Sequence, residues 1–307
     1  MSLQDKTLKY GIIKVTREYT GVEFIESTLS KDEEQMILTL INVSDPNETF
    51  SNIITRNGTA FYLQYVGNPE HALIGILLAS TDNLTDNLAL YPDTKTLNEY
   101  LNTHSKLPNV NINTDYSVSD LAELKGLNGL LFATLTGSPI IALSNEEQRT
   151  KKLFLALLSL LPSELAKNTL MATYTESFSD DFKLIGMPTN QETEIIVEQH
   201  MDKLTIVDFE NQEVFSLYES HVTDLLATAI QSNDTAKIIQ VLSEIYEQAW
   251  RVKEIVKNYK EKGIIQDNAI VPEAADIFHC SNADAEFYIL LGNRMLTKPV
   301  IKERRIR

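Results

Sequence analysis

With 307 residues and 43% hydrophobic side chains, the chain has room for about two domains and enough apolar surface to build a core, which excludes global disorder. A net charge of −16, from 27 basic and 43 acidic residues, excludes a general nucleic-acid binder, since only a local basic patch could overcome that repulsion. The single cysteine, Cys280, excludes an intramolecular disulfide and any cysteine-rich metal site.

Apolar runs are short. The longest, Leu153 to Leu161, is interrupted by Ser159 and falls far below the ~20 residues that a bilayer span requires. The opening segment MSLQDKTLKYG lacks an apolar signal-peptide core. The expectation is a cytoplasmic protein.

In chain order, LKYGIIKVT and GVEFIEST read as two strands of a hairpin turning between Arg17 and Gly21. EEQMILTLINVS fits either a strand or a short helix. The clearest hairpin signal is FSNIITRNGTAFYLQYV, where Asn57-Gly58 supplies the positive φ angles of a tight turn. HALIGILLAS fits a buried strand or a short helix. The polar, Asn-rich stretch around Pro108 reads as a linker. SDLAELKGLNGLLFATLTG then has a helical pattern behind a serine cap, and SPIIALS a buried strand. Ser144 and Glu147 have the spacing of a capping box, opening a buried helix that stops at Pro162. LMATYTES, FKLIGMP and LTIVDF read as strands, with a turn at Glu210 to Gln212. From Leu217 onward the pattern is helical, with a long helix starting near Asn233-Asp234, another opened by Pro272 and a last one in DAEFYILLGNRML. Trp250, Tyr246 and Ile245 of the long helix fit core packing better than a recognition patch.

No phosphate loop, dinucleotide fingerprint, paired-histidine motif or nucleophile elbow occurs. His71, His104, His200, His221 and His279 are scattered, so no metal or other cofactor is expected. His279 and Cys280 are adjacent, which sets them about 100° apart on a helix and disfavours a nucleophile pair. Acid pairs such as Asp180-Asp181 and Glu146-Glu147 suit surfaces and caps. The one dense basic cluster is Lys298, Lys302, Arg304, Arg305 and Arg307, which reads as a solvated tail or else a contact for an anionic lipid surface.

The order of elements between about Gly129 and Phe215 resembles the central part of DENN-type domains. The matching residues are the strand Ile140-Ile141-Ala142-Leu143-Ser144, the helix end from Leu157 to Pro162, the segment Leu184-Ile185-Gly186-Met187-Pro188 and the strand Ile206-Val207-Asp208-Phe209. The same outline is similar to prokaryotic GTPase-associated proteins. The chain departs from the DENN pattern at Asp180-Asp181-Phe182, where the family usually has a Pro-rich segment.

The resemblance implies an α/β fold with a longin-like domain over residues 1–103, a linker over 104–117, a DENN-like central sheet layer over 118–216 and a helical region over 217–307. It implies a small GTPase as partner, and a role as exchange factor or activating protein. An activating protein of this type inserts an arginine finger, whose fixed charge offsets the charge on the transferring phosphoryl group. Arg56, at a hairpin tip, is the first candidate and Arg17 the second. The alternative is a scaffold that dimerises, or organises a complex, through its longin-like sheet.

Overall fold

The computed structural model describes residues 10–15, 22–40, 50–56, 59–66, 73–80, 116–261 with short gaps between 163 and 181, and 270–296. It divides into two units, one of residues 1–114, 170–178 and 301–307, the other of residues 115–169 and 179–300.

The first unit holds strands β1 (Tyr10–Val15), β2 (Val22–Ser27), β3 (Phe50–Arg56), β4 (Thr59–Val66) and β5 (Leu73–Ser80), with helix α1 (Lys31–Leu40) after β2. They form one antiparallel sheet in the order β2-β1-β5-β4-β3. Both expected hairpins are present. Val15 pairs with Val22, and Arg56 pairs with Thr59 across a two-residue connection. EEQMILTL is helical, because Ser30 and Glu33 form a capping box: Ser30 N donates to Glu33 Oε2 at 2.8 Å and Glu33 N to Ser30 Oγ at 3.3 Å. Ile13 on β1 and Ile37 on α1 are buried. This unit also takes in the two-residue strand β7 (Met171–Ala172).

The second unit opens with a 3-10 turn, Val118–Leu121, capped by Ser117. Helix α2 (Leu127–Thr136) follows, then strand β6 (Ile140–Leu143), helix α3 (Glu147–Ser159), strand β8 (Leu184–Met187), helix α4 (Gln191–His200) and the hairpin β9 (Thr205–Asp208) and β10 (Glu213–Phe215). Among the described residues four helices close the unit: α5 (His221–Gln231), α6 (Thr235–Glu261), α7 (Val271–Phe278) and α8 (Asn282–Leu296). Four strands of its mixed sheet run in the order β10-β9-β6-β8, with β6 parallel to both β8 and β9.

Apolar composition explains the layering. Leu130, Leu131, Ala133 and Leu135 bury α2 on every side, and Leu153 to Leu158 do the same for α3. Parallel strands covered on both faces need continuous apolar runs, and Ile140-Ile141-Ala142 is fully buried. Phe132 stacks on Tyr218 with centroids 5.4 Å apart and meets Phe287 of α8 at 5.3 Å, joining α2 to the C-terminal helices. Gly292 lets α8 approach α6 closely, since a Cβ there would stand 3.2 Å from Lys253 N.

One reading of a helix cap needs correction, and one helix was not read. Ser144 and Glu147 do not form a capping box. Ser144 N remains in the sheet, donating to Met187 O at 2.9 Å, and its hydroxyl accepts from Glu146 N at 3.0 Å instead. Helix α4 (Gln191–His200) lies where the sequence analysis placed no element. Asn190 caps it by accepting from Thr193 N at 2.9 Å, and Glu192 and Glu194 suit its positive N-terminal end.

Candidate functional site

The sequence candidates fall in different places. Arg56 ends β3 at the hairpin turn, whereas Arg17 lies outside the described residues, as do His71, His104 and the basic cluster from Lys298 to Arg307. His200 ends α4, His221 begins α5 and His279 caps α7 in the left-handed conformation with φ 50°. Among the described residues no cluster of three or more His, Cys, Asp or Glu side chains could hold a metal. Burial, reinforced by Asp284, pushes the Cys280 thiol up, which disfavours the reactive thiolate.

Three arrangements in the second unit carry polar or exposed groups that could act. The first is the carboxyl edge of the parallel strands. The chain leaves β6 through α3 to reach β8, then returns through α4 to β9 on the other side of β6. The right-handed crossover rule expects connections that run in opposite directions to lie on opposite faces of the sheet. Asn145 bridges the two loops there, its Oδ1 accepting from Thr189 N at 3.0 Å. Nearby on this edge, the Arg149 guanidinium lies over Phe209, 4.9 Å from the ring centroid. Asp208 closes the β9–β10 turn, accepting from Glu210 N at 2.9 Å and from the Asn211 side chain at 2.8 Å. Its partial burial would raise the carboxyl pKa, but the bonds from Asn211 and Glu210 outweigh that and hold it below the ordinary value.

The second arrangement surrounds Arg294. Helix α2 ends at Gly137, with φ 81°, and both Gly137 N and Ser138 N donate to Ala133 O. That leaves the next carbonyls of the last turn unpaired by backbone. Arg294 of α8 takes them, its Nη1 donating to Thr134 O and to Leu135 O, the latter at 2.9 Å, while Nη2 donates to Thr169 Oγ1 at 2.7 Å. Burial lowers the Arg294 pKa to about 10, though Tyr246 favours its charged form, so the group is a cation at neutral pH. Nothing in the sequence singled out Arg294, a basic residue in the last turn of an ordinary helix.

The third is a face of α6. Trp250 is 56% exposed and Ile239 63% exposed, which corrects the expectation that Trp250 packs into the core. Ile245 is buried instead, and Tyr246 anchors the helix by donating from its hydroxyl to Leu160 O at 2.9 Å. The Lys253 ammonium sits 4.0 Å from the Trp250 ring centroid, and Glu247 pairs with Arg251 alongside.

No family model and no curated protein matches this chain. Its function is therefore argued from its own residues.

Proposed function

We propose that the chain works by docking a protein partner, and that the partner is a Ras-like small GTPase whose exchange or hydrolysis it regulates. The exposed apolar face of α6 carries the docking reading. Ile239 and Trp250 stand on one side of the helix about three turns apart, with Glu247, Arg251 and Lys253 around Trp250. A large aromatic held out in water within a polar rim is the usual anatomy of a protein interface. The order strand, buried helix, strand and strand over β6, α3, β8 and β9 supports the choice of a GTPase, because those are the elements on which the DENN resemblance rests.

The test uses the full chain with purified Ras-like GTPases from its own organism. Binding is followed by calorimetry, and exchange and hydrolysis by a fluorescent guanine nucleotide. Expected is binding to at least one GTPase, with a change of tenfold or more in one of the two rates. Trp250→Ala should weaken that binding while leaving the fold intact. A full panel without binding would end this reading.

The scaffold reading draws on β2, which stands at one end of the first sheet's strand order. Light scattering separates the two: a dimer lost when β2 is broken by proline, without any GTPase response, favours scaffolding.

A further inference from the structure

Strand β10, at one end of the second sheet, shows its apolar side chains to solvent. Successive side chains of a strand alternate between its two sides. Past Val214 the covered positions are Ser216, Tyr218 and Ser220. The Ser216 hydroxyl lies 3.0 Å from Thr205 Oγ1, Tyr218 stacks on Phe132 of α2, and Ser220 is buried as the cap of α5. The alternate positions are Phe215, 48% exposed, Leu217, 72% exposed, and Glu219, exposed as well. Phe215 pairs with the buried Ile206 of β9, so the outer row continues from the core of the sheet. A single exposed apolar residue is ordinary, but two in alternate positions make a patch that marks a contact.

The charge along this stretch has one sign. From Thr205 to Gln231 the sequence holds the carboxylates of Asp208, Glu210, Glu213, Glu219 and Asp224, and no lysine or arginine. Lys125 answers Glu213 at 3.1 Å, and Asp224 accepts from the Asn128 amide at 2.8 Å. Glu219 meets no cation among the described residues. The sign narrows the occupant. A second copy in a two-fold contact would set these acids against their own equivalents, in a chain that carries −16 overall. Nucleic acid and anionic lipid meet the same repulsion.

We propose that Phe215 and Leu217 form a docking site for a basic segment of a partner protein, one that sets two apolar side chains on them and a lysine or arginine against Glu219. The apolar pair supplies the affinity, and the carboxylates select the partner and speed its encounter. The site uses different residues from the α6 face invoked for a GTPase, so it stands or falls independently of that reading.

The test is fluorescence anisotropy of the full chain with a fluorescein-labelled peptide, Lys-Arg-Leu-Gly-Phe-Arg-Lys. A Kd on the order of 100 μM is expected, since two side chains give only the centre of an interface. A control peptide with serine for leucine and phenylalanine, and another with glutamate for every basic residue, should each bind about tenfold more weakly. Leu217→Ser should weaken binding of the basic peptide about fivefold and Glu219→Lys about threefold, with circular dichroism unchanged. Absence of binding overturns the proposal, and so does a folded Leu217→Ser variant that binds like the parent. Loss of binding in Trp250→Ala would move the peptide to the α6 face and overturn it as well. Sedimentation of the full chain should show no dimer that Leu217→Ser abolishes; such a dimer would assign the row to a second copy. Lys302→Glu, Arg304→Glu and Arg305→Glu together should leave the peptide's affinity unchanged. A rise of about tenfold in that triple variant would assign the row to this chain's own tail, against the proposal.

Discussion

Arg294 donates from Nη1 to the carbonyl of Leu135 at 2.9 Å across 159 residues of sequence. One side chain of the last helix thereby satisfies the end of the first helix of the same unit. Replacing it by methionine strands the Thr134 and Leu135 carbonyls and leaves the Thr169 hydroxyl with its bond to Leu165 O alone. The expected loss is about 3 kcal/mol in urea unfolding. Arg294→Lys should recover less than half, because an ammonium lacks the planar fork that reaches both carbonyls and Thr169 together.

Gly137 is tied to the same contact. Its φ of 81° is the left-handed region, and a Cβ built there would stand 3.0 Å from both Cδ and Nε of Arg294. Gly137→Ala should therefore cost more than the roughly 1 kcal/mol of left-handed strain alone. Combining it with Arg294→Ala should give less than the sum of the two single losses, since the Cδ and Nε atoms that the new Cβ meets are then gone. A double-mutant cycle by chemical denaturation measures this.

What the sequence made legible was local. The Asn57-Gly58 turn, the apolar run from Leu153 and the cap at Asp234 each mark an element through neighbouring residues, and β3–β4, α3 and α6 lie where those signals put them. The Ser144 cap failed because the spacing of Ser and Glu does not reveal that Ser144 is still bonded in the sheet. Helix α4 went unread because Ile195-Ile196-Val197 is too short an apolar run to carry a helical period, and only the cap at Asn190 marks its start. Arg294 was invisible for a different reason: its partners are backbone carbonyls far away, and a carbonyl carries no sequence signature. Trp250 shows the converse, as helical periodicity fixes which residues share a face but leaves open how far the packed face extends.

Trp250 should tolerate truncation. With its ring half exposed and its contact to Lys253 at the surface, Trp250→Ala is expected to change stability by no more than about 1 kcal/mol. The coupling to Lys253→Ala should be about 0.5 kcal/mol. Unfolding curves of the two single variants and the double variant give that value. A much larger loss would show that the side chain is structural, and would remove it from the docking face.

Asp208 links the strand edge to acid pH. Its carboxylate holds the β9–β10 turn through Glu210 and Asn211, and its pKa is held below the ordinary 3.8 by those bonds. For a carboxyl whose folded pKa is depressed, the stabilisation is fully present above the unfolded pKa and disappears as pH falls through the folded one. Asp208→Ala should cost about 1 kcal/mol at neutral pH. The variant and the parent should converge below pH 3.8, in denaturant titrations run at a series of pH values.

At the alkaline end the informative group is Tyr288, which packs edge-on against Phe287 with 5.3 Å between centroids. Burial, with Asp284 and other neighbouring negative groups, pushes its phenol up to about 12 from 10.0. The folded state therefore keeps a proton that the unfolded state loses between those values. Stability from this group is complete below pH 10 and is lost as pH rises through about 12. The slope approaches about 1 kcal/mol per pH unit at most, less whatever solvent screening removes. Tyr246, raised in the same direction by burial, adds to it, whereas Arg294, lowered by burial, opposes it. Tyr288→Phe keeps the ring contact and removes the titrating oxygen, so its stability should fall less steeply than the parent's over that window. Equal slopes for the two proteins would assign the alkaline loss to Tyr246 or to another group.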